Sequence, residues 1–202
     1  MWRVPFRLFS GVKDIRMSMF KANTLSDTEL LEVRKVISEF QLNKLRQKFG
    51  KEEYLKNYFK VATSRVKKMQ TSDLMVLASN IAQNTDLRKL NYTAHFWPEI
   101  AEQFKERDLS LNEMIEASHL FCFVYIKNPV VGKMYKVLEN QFLEIETNEF
   151  FELPFQRLED LLWSFSYMNM GSSKFYKLVS NLLPMHAEFD NLSFQKLAKL
   201  AY

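Results

Sequence analysis

The string Phe155-Gln156-Arg157-Leu158 returns 39 residues on as Phe194-Gln195-Lys196-Leu197, and Leu161 and Leu200 keep that spacing. A chain that echoes itself at this interval builds similar supersecondary units. Each is too small to bury its own apolar face, so it stacks on its neighbours. Upstream, Asp73, Met75 and Ser79 stand 39 residues before Asn112, Met114 and Ser118. A second set runs in parallel. Trp97, Ile100 and Phe104 match Tyr135, Leu138 and Phe142 at 38, and Tyr176, Val179 and Leu183 follow at 41. Tyr58, Val61 and Arg65 sit 39 before the first of these, with Arg65 breaking the apolar pattern.

The units are helical. Only 4 Gly and 5 Pro occur in 202 residues, too few for the turns of an all-β fold. The abundant Leu, Lys, Glu and Met are strong helix formers. Ser and Thr cap free N–H groups of a first turn and Pro is tolerated there, so Thr71-Ser72, Ser110, Pro154 and Ser193 read as helix starts. The expected helices are 26–49 and 51–69, broken at Gly50; 72–83 and 93–107; 111–127 and 129–146, the latter opened by Pro129; 154–169 and 172–188, with Gly171 between; and 193–202. Pro184 should kink or end its helix. The predicted fold class is all-α. It is a short α-solenoid or helical bundle of about four helix pairs plus a C-terminal half unit.

Residues 1–23 form a separate segment ahead of a helical-repeat domain over 24–202. The opening carries Arg3, Arg7, Lys13 and Arg16 against one acid, Asp14. Leu8, Val12, Ile15 and Met19 form one apolar helical stripe. An Arg-rich, acid-poor amphipathic helix is what organellar import reads, so a mitochondrial location is expected, in the matrix or on the matrix side of the inner membrane. Arg7-Leu8-Phe9-Ser10 also resembles a matrix-peptidase cut pattern. The alternative is an ordinary amphipathic helix that anchors the protein to a partner or touches a membrane surface. The longest apolar run, Leu120–Ile126, is far short of the roughly 20 residues of a membrane span. One cysteine, Cys122, excludes an internal disulfide.

The helix pairs, the Leu158-x-x-Leu161-Leu162-Trp163-Ser164-Phe165 string and the Phe175-Tyr176-Lys177-Leu178 run resemble organellar helical-repeat proteins of the octotricopeptide, heptatricopeptide and FAST-kinase-like classes. The resemblance covers residues 71–202 and implies an association with mitochondrial RNA. The chain departs from those classes in having few units for a long RNA groove and in showing no nuclease-like domain after them.

No constellation for catalysis emerges. There is no paired CxxC, no HExxH and no Gly-rich phosphate loop. His119 and Cys122 lie at i, i+3 in an apolar run, and two ligands do not close a zinc site. No enzyme activity, cofactor, metal or small-molecule substrate is therefore expected.

Charge points to binding instead. Residues 1–70 hold 16 Lys and Arg against 7 Asp and Glu, whereas 71–202 hold 12 against 17. Within the basic part, Lys56, Lys60, Arg65, Lys67 and Lys68 cover much of helix 51–69, interleaved with Tyr54, Tyr58 and Phe59. They are the candidate RNA-phosphate contacts. At the other end, Leu197, Leu200 and Tyr202 belong to an unfinished unit whose apolar face needs a cover, so they are the candidate protein contacts. Two functions fit: a component of a mitoribosomal or RNA-processing assembly, or a structural accessory subunit of a respiratory-chain or ATP synthase complex.

Overall fold

A computed structural model describes residues 30, 53–83, 87, 91–124 and 128–191. Among them are eight α-helices and no strand. They are α1 (Glu53–Arg65), α2 (Thr71–Gln83), α3 (Phe96–Glu106), α4 (Leu111–Val124), α5 (Pro129–Glu144), α6 (Thr147–Phe151), α7 (Phe155–Tyr167) and α8 (Ser173–Met185). Short 3-10 turns cover Val66–Lys68, Asn91–Ala94 and Phe189–Asn191. The chain is all-α, as the sequence predicts. The expected segment 1–23, helix 26–49 apart from Leu30, and the half unit 193–202 lie outside the described residues.

Helix starts follow the local chemistry. Ser110 and Glu113 form a capping box before α4: the Ser110 N–H and Oγ–H both donate to Glu113 Oε2 (2.9 and 2.7 Å), and Glu113 N donates back to Ser110 Oγ at 3.4 Å. Asn128 Oδ1 accepts from Val130 N at 2.8 Å, with Pro129 in the first position of α5. Ser172 Oγ accepts from Phe175 N at 3.4 Å to open α8. Pro184 falls in the last turn of α8, which ends at Met185.

The chain divides into two compact units, Met1–Gln103 and Phe104–Tyr202. In the first, Tyr58, Phe59, Phe96 and Trp97 form a run of edge-to-face rings with centroids 5.1–5.5 Å apart. The Tyr58 hydroxyl donates to the Leu30 carbonyl at 3.1 Å. In the second, α4 packs on α7 and α5 packs on α8, so like helices of successive pairs lie side by side. Phe165 of α7 stacks on Phe175 of α8 at 4.1 Å and meets Tyr135 and Phe142 of α5 at 5.0 and 6.0 Å, tying the two layers together.

Burial gives the repeats a firmer register than letter matching. Leu55, Tyr58, Phe59, Ala62 and Val66 are buried, and so are Thr93, Phe96, Trp97, Ile100 and Phe104, each 38 residues on. Val131, Met134, Tyr135, Leu138 and Phe142 follow at 38 again. A further 44 residues on, Phe175, Val179, Leu182 and His186 are buried, with Leu178 half-buried. The first interval is thus 38 rather than 39. Val66, not Arg65, takes the inward position, so the apolar pattern is unbroken. Likewise the last interval is 44 rather than 41. In the partner helices, the six buried residues of α2 (Leu74, Met75, Leu77, Ala78, Ile81 and Ala82) map onto buried residues of α4 at 40, not 39. From α4 to α7 the interval is again 44, carrying Met114, Ala117 and Phe121 onto Leu158, Leu161 and Phe165.

The longer interval has a cause. The sequence predicts no helix between 129–146 and 154–169, but α6 forms there. Its Phe150 is fully buried and the following Leu153 is nearly so. His186 Nε2 donates to the Leu153 carbonyl at 2.8 Å while Nδ1 accepts from Glu188 N at 3.2 Å, a pair that requires the Nε2–H tautomer.

Candidate functional site

The basic helix is real and its lysines point outward. Lys56 and Lys60 are exposed at i, i+4 of α1, with exposed Ser64 one turn further. Lys67 and Lys68 are exposed on the 3-10 turn that follows. Lys67 Nζ lies 3.7 Å from Glu99 Oε1, and its side chain stays 69% exposed. A screened surface pair of this kind leaves most of the charge available to an anion. Arg65 lies about 140° around the helix from Lys60 and is half-buried. Lys56 and Lys60 thus share one side of α1, Lys67 and Lys68 are exposed just beyond its C-terminal end, and Arg65 is half-buried away from Lys60. The interleaved aromatics do not join them. Tyr58 and Phe59 are each 1% exposed, so they cannot stack on a base; the Tyr54 side chain lies outside the described ones. Among its described side chains, α1 exposes lysine charge and buries its rings.

Four further lysines escape a net-charge reading. Lys133 and Lys136 of α5 and Lys174 and Lys177 of α8 are all exposed. Lys133 and Lys177 are 44 residues apart, the register of these two helices. Glu139 and Glu144 of α5 and the acids of other helices hide these lysines in a segment sum. Only the helix-by-helix register could have found it.

The α4–α7 layer has the opposite character. Its outward residues repeat at 44: Asn112 and Gln156, Glu116 and Asp160, His119 and Trp163, Phe123 and Tyr167. The His119 ring meets Phe123 at 5.1 Å and Trp163 at 5.3 Å, and Trp163 stacks on Tyr167 at 5.0 Å with planes 23° apart. Phe123, Trp163 and Tyr167 are 38%, 45% and 47% exposed.

Beneath this face lie buried Ser164, Cys122 and Tyr135, next to half-buried His119. Ser164 Oγ is 3.4 Å from His119 Nδ1, a pairing that superficially suggests a nucleophile and its base. The hydroxyl proton, however, is directed to the Asp160 carbonyl one turn back, so Ser164 accepts from His119 rather than donating to it. Cys122 is buried, with Sγ 3.6 Å from the Ser164 carbonyl and 4.0 Å from the Tyr135 hydroxyl, which itself donates to the Ser118 carbonyl at 2.5 Å. Burial pushes the Cys122 thiol up to about 11 against the lowering effect of its Ser164 and Tyr135 contacts. Burial likewise raises the Tyr135 phenol, helped by the neighbouring thiol. A thiol so held is neutral and a poor nucleophile at physiological pH.

Among the described residues no group of three or more His, Cys, Asp or Glu is placed to hold a metal, and no helix is long and apolar enough to cross a membrane. Leu197, Leu200 and Tyr202 lie outside the described residues. No family model matches this chain, and neither a curated protein nor a solved structure matches it.

Proposed function

We propose that this chain is a non-enzymatic mitochondrial helical-repeat protein that joins a larger, RNA-containing assembly and holds RNA by its phosphates. The observation that supports this most is the exposure of Lys56 and Lys60 on α1 and of Lys67 and Lys68 just after it, while Tyr58 and Phe59 of the same helix are buried. Such a surface neutralises a polyanion without reading its bases. The mitochondrial part rests on the composition of residues 1–23, and the C-terminal protein contact on Leu197, Leu200 and Tyr202.

Binding of a labelled single-stranded RNA across a salt series tests the reading. With four phosphates engaged, the affinity should fall with a log–log slope of about −3. Changing Lys56, Lys60, Lys67 and Lys68 together to Glu should abolish that binding while leaving the helical fold intact. Absence of binding at low salt, or binding indifferent to these changes, overturns it.

A second reading, an accessory subunit of a respiratory-chain or ATP synthase complex, is favoured by the acidic, aromatic α4–α7 face, which suits protein better than RNA. Cofractionation with such a complex, unchanged by ribonuclease, would select it.

A further inference from the structure

We infer that the outer face of the α4–α7 layer is a docking surface for an arginine-bearing basic segment of a partner protein. Two parallel rows, each on its own helix, run in the same order: an acid, then an aromatic one turn on, then a second aromatic. Glu116, His119 and Phe123 form one row, and Asp160, Trp163 and Tyr167 the other. The rows touch through the His119–Trp163 contact, so the four rings make one continuous surface. The described residues include six large hydrophobic side chains that are exposed. The three aromatic ones, Phe123, Trp163 and Tyr167, all stand on this face. Clustering of this kind marks an interaction site rather than scattered surface.

Charge selects the occupant. Helix α4 carries Glu113 and Glu116 and no Lys or Arg. Helix α7 carries Glu159 and Asp160 against Arg157, which is 3.9 Å from Asp160. A nucleic acid would bring phosphates against four carboxylates, with one cation, Arg157, that Asp160 already holds. A guanidinium fits both halves of each row. Its flat face lies on the stacked Trp163–Tyr167 pair, where the ring quadrupole attracts a cation, and its N–H groups reach the acid one turn away. An ammonium can use the same charge but cannot stack, so arginine is preferred to lysine. Tyr and Trp side chains are also the residues most often found as anchors of protein interfaces.

The test uses the full chain and two fluorescently labelled nine-residue peptides of equal charge, one alternating arginine with glycine and serine, the other lysine in the same places. Anisotropy at moderate salt should show saturable binding of the arginine peptide and several-fold weaker binding of the lysine peptide. Trp163→Ser and Glu116→Lys should each weaken the arginine peptide about tenfold or more. Because Trp163 is exposed and Glu116 only half-buried, thermal unfolding should be nearly unchanged. A labelled single-stranded RNA should bind the Trp163→Ser protein as it binds the parent. No arginine-peptide binding, equal affinity for the two peptides, or indifference to both substitutions would overturn the inference. Loss of RNA binding in Trp163→Ser would instead assign the face to nucleic acid.

Discussion

The two helix layers of the second unit are built alike on the inside and oppositely on the outside. In both, a 44-residue shift carries buried positions onto buried positions: Ala117 onto Leu161 and Phe121 onto Phe165 in one layer, Tyr135 onto Val179 and Leu138 onto Leu182 in the other. The outward positions follow the same shift yet diverge in chemistry. Helices α4 and α7 show aromatic rings and four acids against one cation, Arg157, whereas α5 and α8 show Lys133, Lys136, Lys174 and Lys177 beside exposed Glu144, Leu143 and Met185. The inner sides are constrained by packing, which tolerates apolar exchange but not polarity. The outer sides carry no such constraint, so a consistent chemistry there reflects what each side meets.

The sharpest way to break this comparison is to remove the group that joins the layers. Phe165 is fully buried and touches Tyr135, Phe142 and Phe175. Phe165→Ala should cost about 3–5 kcal/mol, read as a lower midpoint in urea unfolding followed by circular dichroism. Two residues earlier, Trp163→Ala should cost under about 1 kcal/mol, since that ring is surface. Similar losses from both would mean that inner and outer faces are not energetically distinct.

Chemistry beneath the α4–α7 face supplies the next test. The usual thiol value of 9.0 applies once the chain unfolds, while burial holds Cys122 at about 11 in the fold. Below pH 9 the thiol is protonated in both states and the fold keeps its full advantage. As pH rises from 9 through 11 the unfolded chain gains by ionising first, and stability falls by on the order of 2–3 kcal/mol. Urea midpoints should therefore decline over that window, and Cys122→Ala should decline less, the remainder coming from Tyr135. At pH 8 a disulfide reagent should leave the native thiol unmodified and react with it promptly in denaturant. Rapid native reaction would show that the face is not sealed over Cys122.

Much of the architecture was legible in the residues. Capping residues and Pro129 set the helix starts, and the expected 72–83 and 111–127 stand close to Thr71–Gln83 and Leu111–Val124. Register was harder. A helix turns about 100° per residue, so a shift of one leaves half of the apolar positions still matched. That is how Arg65 came to stand where Val66 belongs. Helix α6 was illegible for another reason: five residues carry no period, and only the burial of Phe150 reveals them as structure. The candidate site divided in the same manner. The lysines of α1 were plain because they dominate a basic stretch. Those of α5 and α8 were cancelled in the sum by Glu139, Glu144 and the acids of other helices. The burial of Tyr58 and Phe59 needed the packing of Phe96 to be seen.

Smaller effects of opposite sign come from two glycines that frame the α5–α8 layer. Gly171 has φ +94°, and a Cβ there would lie 3.0 Å from Phe175 Cδ1 and 3.0 Å from Tyr176 Cε2. Phe175 is pinned against Phe165 and has no room to yield. Gly171→Ala should cost about 1–3 kcal/mol. Gly132 sits inside α5, where a Cβ would meet only Met170 Cε at an ordinary 3.5 Å. Its matched position 44 residues on is Tyr176, so the repeat accepts a side chain there. Gly132→Ala should therefore stabilise the protein by about 0.4–1 kcal/mol, because alanine restricts the unfolded chain and favours helix. A rise in the urea midpoint for Gly132→Ala beside a fall for Gly171→Ala confirms that one glycine is required by the backbone and the other is not. A fall in both would mean that α5 packs more closely at Gly132 than its partner helix does at Tyr176, and the equivalence of the two helices would end there.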